Sequence, residues 1–339
     1  MSTIGGAFTE TQLLQQRVRA AEISFDDRIK QQFVPQFDVL KGIQAVQTAT
    51  INASFQRKKE FDVEIMWENF CDIVAEDCTG SCTLGGNKSS TNAETKTLSC
   101  LKEVGFSMSE HDFIDNEFDM NIAKALLKAD KELVEAFAQY AVAQLEAFKG
   151  LNELTTGKGV LVGSDTNINP AYWNASLFAY LARVAIMNKF TNPILLSGNN
   201  LYEANYMAQA NGANADGKGD KFLFGTMPIY FDLFNIDSVN TPALKTYMLS
   251  QGSLAMANKT FNPDVPEKTM DFTRYTMRSN FFPALKYDVW YDNECEAGTN
   301  RLIKHNYTIR LIADIYNNPS GCALNNSGVL AFNCSADIA

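Results

Sequence analysis

The sequence predicts an α+β chain in which one long helix and several long strands carry the core. The first observation is the stretch NIAKALLKADKELVEAFAQYAVAQLEAFKGLNEL, residues 121–154, where apolar residues recur three and four positions apart. The second is the alternation of apolar and polar residues near the C-terminus, which is typical of half-buried strands. The third is a Gly-rich polar stretch, CTGSCTLGGNKSSTNAETKTLSC, between two strand-like segments.

The long helix presents one apolar face, made of Ile122, Leu126, Ala129, Leu133, Phe137, Tyr140, Leu145 and Phe148. No Pro or Gly interrupts the pattern before Gly150, and we expect Gly157 and Gly159 to end the helix. At 1.5 Å per residue it is about 45 Å long, more than a typical globular helix. It is either a core helix of a large domain or a beam that stiffens a flat subunit. Heptads are not sustained for long enough to predict a coiled coil.

The N-terminal third predicts two extended pieces. Residues 1–45 read as an arm with too little apolar surface to fold alone, in which FVPQFDVLKGIQ is extended chain around Pro35. Residues 46–105 predict a protruding β-hairpin, whose strand-like segments TATINASFQRKKEFDVEIMWENF and CLKEVGFSMS flank the polar tip. A compact domain seldom tolerates so long a loop unless the loop has a function.

The rest of the chain is mixed α/β and then β-rich. NPAYWNASLFAYLARVAIMNKF predicts a helix with Pro170 near its start, NPILLSG a strand, NNLYEANYMAQANG a helix, and FLFGTMPIYFDL a strand pair or bent strand. TYMLSQGSLAMANK predicts a strand followed by a helix or loop. FPALKYDVWYDNE and HNYTIRLIADIYNNPSG, joined by the turn EAGTN, predict a long hairpin, and SGVLAFNC a final short strand.

Composition excludes several classes of protein. The 339 residues are 46% hydrophobic, enough for a sizeable core or two intertwined domains. A net charge of −10 and a pI near 4.8 disfavour tight nucleic-acid binding, because phosphate contacts need Lys and Arg. No apolar run resembles a signal peptide or a transmembrane helix, so we expect a cytosolic protein. Seven scattered cysteines do not predict a disulfide scaffold.

No residue cluster predicts catalysis, a cofactor or a metal ion. The two histidines, His111 and His305, are expected to be structural. GSCTLGGNKSS resembles a phosphate-binding loop, but Lys88 does not directly follow the second Gly. The pattern nearest to a metal site consists of Cys71, Cys78, Cys82 and Cys100. Only its middle pair has the spacing of zinc ligands, so free thiols are favoured over zinc or a local disulfide. A site formed by carboxylates that lie far apart in the sequence remains an open alternative, because the sequence alone does not show which of them meet in the fold.

The order of these elements resembles that of the major capsid protein of tailed bacteriophages, the Hong Kong 97-type capsid fold. NPILLSGNNLYEA is similar to the family's axial region, and NRLIKHNYTIRLIADIYNNPSGCALNNSGVLAFNC to its closing stretch. The resemblance implies an N-terminal arm at 1–45, an extended loop at 46–105, a peripheral domain at 106–160 and 263–318 with a spine helix at about 119–152, and an axial α/β domain at 161–262 and 319–339.

The resemblance also implies a structural protein that is not an enzyme. It would be a subunit of an icosahedral phage head, assembling into hexamers and pentamers around the double-stranded DNA genome. Expected partners are many copies of itself, a portal, decoration proteins, and DNA without tight sequence-specific binding; no cofactor or membrane is expected. The start at Met1 indicates no N-terminal cleavage, so a separate scaffolding protein is expected. The expected location is the virion, assembled in the host cytoplasm.

The arm and hairpin are expected to bury their apolar residues on a neighbouring subunit, because they cannot bury them within the chain itself. The candidates for inter-subunit contact are Phe61, Ile65, Met66, Trp67 and Phe70. Trp67 is the expected anchor, since Trp is enriched where binding energy concentrates.

Two other functions stay open: an encapsulin-like nanocompartment shell, which shares this fold, and an enzyme with a mobile lid at residues 75–100. The family also includes members linked by Lys–Asn isopeptide bonds. Lys88 with Asn87 or Asn92 lies in the corresponding loop, but these residue types are ordinary in a solvated polar tip, which is the favoured interpretation.

Overall fold

The computed structural model describes residues 37–52, 61–68, 91–109, 118–154, 156–208, 227–239, 244–269, 272–295, 303–318 and 327–335. The helices are α1 (Asp38–Val46), α2 (Phe118–Phe148), α3 (Ala175–Met187), α4 (Asn199–Ala208) and α5 (Leu233–Val239), with a 3-10 turn at Pro170–Tyr172. The strands are β1 (Thr50–Asn52), β2 (Asp62–Glu68), β3 (Thr91–Thr97), β4 (Cys100–Ser109), β5 (Gly159–Val162), β6 (Asp165–Ile168), β7 (Ile194–Ser197), β8 (Ile229–Phe231), β9 (Lys245–Leu249), β10 (Leu254–Asn258), β11 (Glu267–Lys268), β12 (Thr273–Arg278), β13 (Lys286–Cys295), β14 (Ile303–Asn317) and β15 (Val329–Cys334).

Helix α2 is the long helix that the sequence predicts, and it has 31 residues. The buried members of its apolar stripe are Ile122, Leu126, Ala129, Leu133, Phe137 and Leu145. The helix ends at Phe148, however, before the predicted border near residue 152 and well before Gly157 and Gly159. Gly150 is the reason, because its backbone N–H donates to the Val329 carbonyl oxygen in β15, at 2.9 Å, and not to the helix.

A six-stranded sheet, termed the main sheet, packs against α2 and is organised around the 15-residue strand β14. One edge of β14 pairs with β4. The other edge pairs with β13 along residues 303–310 and then with β10 along residues 313–317. The predicted long hairpin is therefore confirmed as β13–β14, in which Val289 lies opposite Ile309 and both are buried.

A second six-stranded sheet has the strand order β5-β6-β15-β9-β7-β8. It shares a separate core with α3, whose members include Leu177, Phe178, Leu181, Val184, Leu195, Met248, Leu330 and Phe332. The predicted helix after Pro170 begins later than expected, because Pro170 lies in the 3-10 turn and Asn174 caps α3 by accepting the Ser176 N–H at 3.0 Å. NPILLSG is confirmed as the strand β7, and the helix predicted after it as α4.

The segment 245–258 differs from its prediction of one strand followed by a helix or loop. It contains two strands, β9 and β10, and these belong to different sheets. Gly252 turns the chain between them with a φ of +81°, a conformation that glycine adopts without strain. Strand β10 thus pairs with β14 although it lies inside the range predicted for the axial domain; the domain borders stay a prediction.

The last part of the predicted arm, 38–46, is helical, whereas the sequence analysis expects extended chain there. The buried residues of α1 are Val39, Leu40, Gly42, Ile43 and Val46, three and four positions apart. This stripe packs on α2, β7, β8 and β10, so tertiary contacts decide the conformation. Asp232 accepts the Val39 N–H at 3.2 Å and satisfies a free donor at the helix start. Residues 1–36 lie outside the described part of the chain.

A half-buried ionic cluster ties the end of α2 to the second sheet. Glu146 accepts hydrogen bonds from Lys149 at 2.8 Å, Lys245 at 2.5 Å and Tyr247 at 2.6 Å. Lys149 also contacts Asp165 of β6 at 2.7 Å. Burial by itself raises the pKa of the Glu146 carboxyl, but the bonds from the two lysines and the tyrosine outweigh it, and the resulting pKa is lowered.

We expect Glu146→Gln to lower the free energy of unfolding by about 2 kcal/mol at pH 7, because a half-buried acceptor of two ammonium groups loses its charge. A carboxyl whose folded pKa is depressed stabilises the fold above its unfolded pKa, about 4.3, and this contribution is lost as the pH falls through the folded pKa. The difference between variant and wild type should therefore shrink between pH 4 and pH 2, measured by urea unfolding of unassembled subunits.

The matched control for this change is Glu103→Gln, which removes the same charge from an exposed pair with Arg310. Exposed pairs contribute about 1 kcal/mol or less. An effect of Glu146→Gln no larger than that of Glu103→Gln at pH 7 would contradict a stabilising role for the cluster.

Candidate assembly surface

The N-terminal strands form a small sheet of their own in the order β1-β2-β3. The hairpin that the sequence predicts is β2–β3, with Ile65 opposite Glu94. Its second strand differs from the prediction, because CLKEVGFSMS is β4 and pairs with β14 in the main sheet. The hairpin tip, residues 69–90, lies outside the described residues.

One face of this small sheet, termed the docked face, packs on the rest of the same subunit. That part of the subunit, which includes β10 and β14, is termed the body. It forms a core cluster whose buried members are Val63, Ile65, Trp67, Leu98, Ala255, Ala257 and Ile312. The last three belong to β10 and β14 of the main sheet. The premise that the chain lacks a core for its hairpin is therefore wrong for Ile65 and Trp67, because both are buried within a single subunit.

The outer strand β3 has solvent on both sides. Its exposed residues are Ala93, Glu94, Thr95 and Thr97, which alternate between the two faces. Met66, on the face of β2 opposite the docked face, is half-buried, and Phe61 at the hairpin base is 38% exposed. Phe70 lies outside the described residues. Of the candidate contact residues, Phe61 and Met66 thus retain surface for a neighbour.

Two contacts fix the base of the hairpin to the body. The Leu98 N–H closes this base by donating to the Phe61 carbonyl oxygen at 2.8 Å. The buried Lys259 ammonium donates to the Asp62 carbonyl oxygen at 3.0 Å. The Phe61 ring meets Phe261 edge to face, with the ring centroids 5.6 Å apart. Because Lys259 and Phe261 lie on the body, the body sets the direction in which the hairpin leaves.

Asp314 of β14 ties the exit of the hairpin to α2. The Ser99 N–H and Oγ–H both donate to Asp314 Oδ2, at 2.8 and 2.6 Å, and the Tyr140 hydroxyl donates to Oδ1 at 2.7 Å. Burial, reinforced by the Asp314 carboxylate, raises the pKa of the Tyr140 hydroxyl, so it remains a donor at neutral pH. Three elements therefore meet at one carboxylate.

Structural donors satisfy the buried carboxylates Asp130, Asp232 and Asp288. Burial raises the pKa of all three, and hydrogen bonds from neighbouring residues oppose the shift. His305 Nδ1 lies 2.8 Å from the Tyr291 hydroxyl. Within the described ranges no group of His, Cys, Asp and Glu is arranged to hold a metal ion, and no helix combines the length and apolarity needed to span a membrane.

The cysteine and lysine candidates of the sequence analysis fall mostly outside the described residues. Those outside are Cys71, Cys78, Cys82, Asn87 and Lys88, together with His111. Cys100 is a buried free thiol whose pKa burial raises to about 11, so it is protonated and inert at neutral pH.

The structural carboxylates Asp130 and Asp314 are not among the residues predicted from the sequence. A signal for the first is visible in hindsight, because Asp130 follows Ala129 on the apolar stripe of α2. Asp314 likewise interrupts the apolar run LIADIY of β14. A charged residue inside an apolar pattern indicates a buried group that needs partners from elsewhere in the chain.

No family model and no curated protein matches this chain. The chain is similar to solved bacteriophage capsid structures. One is the capsid asymmetric unit of cyanophage A-1(L), with a TM-score of 0.49 and 10% identity over 83% of this chain and 89% of that chain. Another is the capsid asymmetric unit of cyanophage Pam1, with a TM-score of 0.46 and 12% identity over 85% of this chain and 88% of that chain. A third is the capsid of a native GTA particle, with a TM-score of 0.45 and 11% identity over 87% of this chain and 90% of that chain. We assign no residue role from these likenesses.

Proposed function

We propose that this chain is the structural shell subunit of a bacteriophage head, which self-assembles into hexamers and pentamers around double-stranded DNA. The observation that carries the proposal is the small N-terminal sheet. Its docked face is buried on the chain's own body, whereas β3 stands beyond that core with both faces in solvent. Strand β3 is also the edge strand of the described sheet β1-β2-β3, and an edge strand presents backbone N–H and C=O groups to which another chain can bind.

A second copy of the chain is the partner that this sheet fits best. Its direction is fixed by the body through Lys259, Asp314 and Phe261, so every copy presents β3 in the same orientation. A fixed projection that meets a different surface on the next copy makes a heterologous contact, and such contacts form rings when the rotation from one copy to the next divides a full turn evenly. Rings are what pentamers and hexamers require.

The main sheet and α2 suit the wall of a container. The helix runs for about 45 Å and packs on β4 and β14, the longest strand of the sheet. A net charge of −10 would keep packaged DNA from adhering to the wall, since tight contact needs neutralising Lys and Arg. The proposed mechanism is assembly of subunits, with no catalytic step. The further partners in this proposal are a scaffolding protein, a portal and decoration proteins, and the final location is the virion.

Ala93→Arg tests the proposal. Ala93 is exposed on β3, so a long cation there should leave the subunit folded, but it should block packing of β3 on a neighbour. Wild type should sediment as large particles, and Ala93→Arg as 37.6 kDa subunits or small oligomers with an unchanged unfolding temperature. Ala93→Ser is the matched control, because it adds little volume and no charge, and it should assemble.

Sedimentation of wild type as a single subunit at every concentration would contradict the proposal. Particles of wild-type size from Ala93→Arg would show that β3 does not form the contact between subunits.

The contents of particles isolated from their natural source distinguish a phage head from a nanocompartment. The proposal predicts double-stranded DNA inside, whereas an enclosed enzyme without DNA would indicate an encapsulin-like shell.

A further inference from the structure

Two chain crossings lie side by side where the two six-stranded sheets meet. Residues 250–253 carry the chain from β9 in the second sheet to β10 in the main sheet. The return crossing leads from β14 to β15, and its described residues are 317–318 and 327–328. These residues together are termed the joint.

Asn317 bridges the two crossings with one side chain. Its Nδ2 group donates to the Ser253 carbonyl oxygen at 3.1 Å and to the Ser327 carbonyl oxygen at 2.6 Å. The backbone N–H of Asn318 adds a bond to the same Ser253 oxygen at 2.8 Å. A single amide thus holds the outward and the return crossing at a fixed separation.

Gly328 permits this close approach. Its φ is +66°, and a Cβ at this position would lie 2.6 Å from the Cβ of Ser253. Its carbonyl oxygen accepts the Ser250 N–H at 2.9 Å. Any larger residue would strain the backbone and also push the two crossings apart.

The C-terminal ends of α1 and α2 are held at the same place. The Gly252 N–H donates to the carbonyl oxygen of Val46, the last residue of α1, at 2.7 Å. Just after α2, the Gly150 N–H donates to the carbonyl oxygen of Val329 at 2.9 Å. Two sheets and two helices therefore share one hydrogen-bonded point, which leaves them little freedom to rotate about each other.

We propose that the joint fixes the angle between the two sheets and thereby the size of the particle, with Asn317 as the positioning residue. The inference rests on the proposed assembly function. A closed shell needs a defined rotation from each copy to the next, and a subunit whose two halves rotate freely can close at several rotations. A rigid joint therefore selects one curvature.

The test compares particle diameters of wild type, Asn317→Ala and Gly328→Ala by electron microscopy, with subunit unfolding measured in parallel. The control is Asn333→Ala, because the Asn333 side chain donates to Asn167 at 3.2 Å within the second sheet and does not span the joint. We expect one diameter for wild type and the control. For the joint variants we expect loss of that single diameter, as a broader distribution or as open sheets from folded subunits.

A wild-type diameter for Asn317→Ala overturns the inference, whether or not Gly328→Ala folds. If Asn317→Ala and Asn333→Ala broaden the distribution equally, the joint has no special role and the inference is also overturned. Failure of wild type itself to form particles is a separate result, since it contradicts the proposed function and not the geometry of the joint.

Discussion

Asp130→Ala is expected to lower the free energy of unfolding by about 3–5 kcal/mol, among the largest effects of any single change in this chain. The carboxylate lies in the middle of α2 with no solvent exposure. It accepts the Ser279 hydroxyl at 2.6 Å, the Tyr287 hydroxyl at 2.7 Å and the Asn280 N–H at 2.7 Å. Alanine would leave these donors buried without an acceptor and would detach the β12–β13 turn from the helix.

Urea unfolding of unassembled subunits measures this effect. Glu132→Ala, an exposed position two residues along the same helix, serves as the control and should change the free energy of unfolding by about 0.5 kcal/mol or less. Asp130→Asn should fall between the two, because it keeps one acceptor oxygen and removes a charge whose burial is costly. Equal stabilities of Asp130→Ala and Glu132→Ala would show that the three donors find other partners.

Trp67→Ala is expected to reduce the free energy that holds the small sheet on the body by about 3–5 kcal/mol. This is the range for truncation of a large aromatic side chain in a core. Trp67 is 4% exposed and belongs to the docked face. The loss should be local, since this cluster is separate from the main core. Hydrogen exchange should therefore accelerate in β2 and β3 while α2 and β14 keep their protection. Assembly should fail as well, because β3 would no longer leave the body in a fixed direction.

Phe61→Ala is the comparison for that experiment, since Phe61 is an aromatic of the same hairpin but 38% exposed. Its effect on exchange in β2 should be clearly smaller than that of Trp67→Ala. Unchanged protection of β2 in Trp67→Ala would contradict docking of the hairpin on its own body.

Elements with long, regular patterns were predictable from the sequence. The 3.6-residue period of α2 and the alternation in β13 and β14 persist for many residues, and the structure has all three as expected. Helix α1 was not predictable, because its 9 residues are too few to fold without the surface that they pack on. Strands β9 and β10 have five residues each, and only their pairing partners place them in different sheets.

The candidate surface was predictable in outline but not in detail. A polar tip between two strand-like runs indicates a hairpin, whereas nothing local selects β3 over β4 as the partner of β2. Alternation in DVEIMWE does identify one apolar face, made of Val63, Ile65 and Trp67. Whether such a face meets the chain's own body or another copy depends on the small residues Ala255 and Ala257, far along the sequence.

The most direct measurement is electron cryo-microscopy of the purified protein at a resolution that separates strands. We predict closed shells in which each hairpin rests by its Trp67 face on β10 of its own subunit, and by β3 on an adjacent subunit. Single compact molecules at every concentration, or shells in which β3 contacts no neighbour, would contradict it.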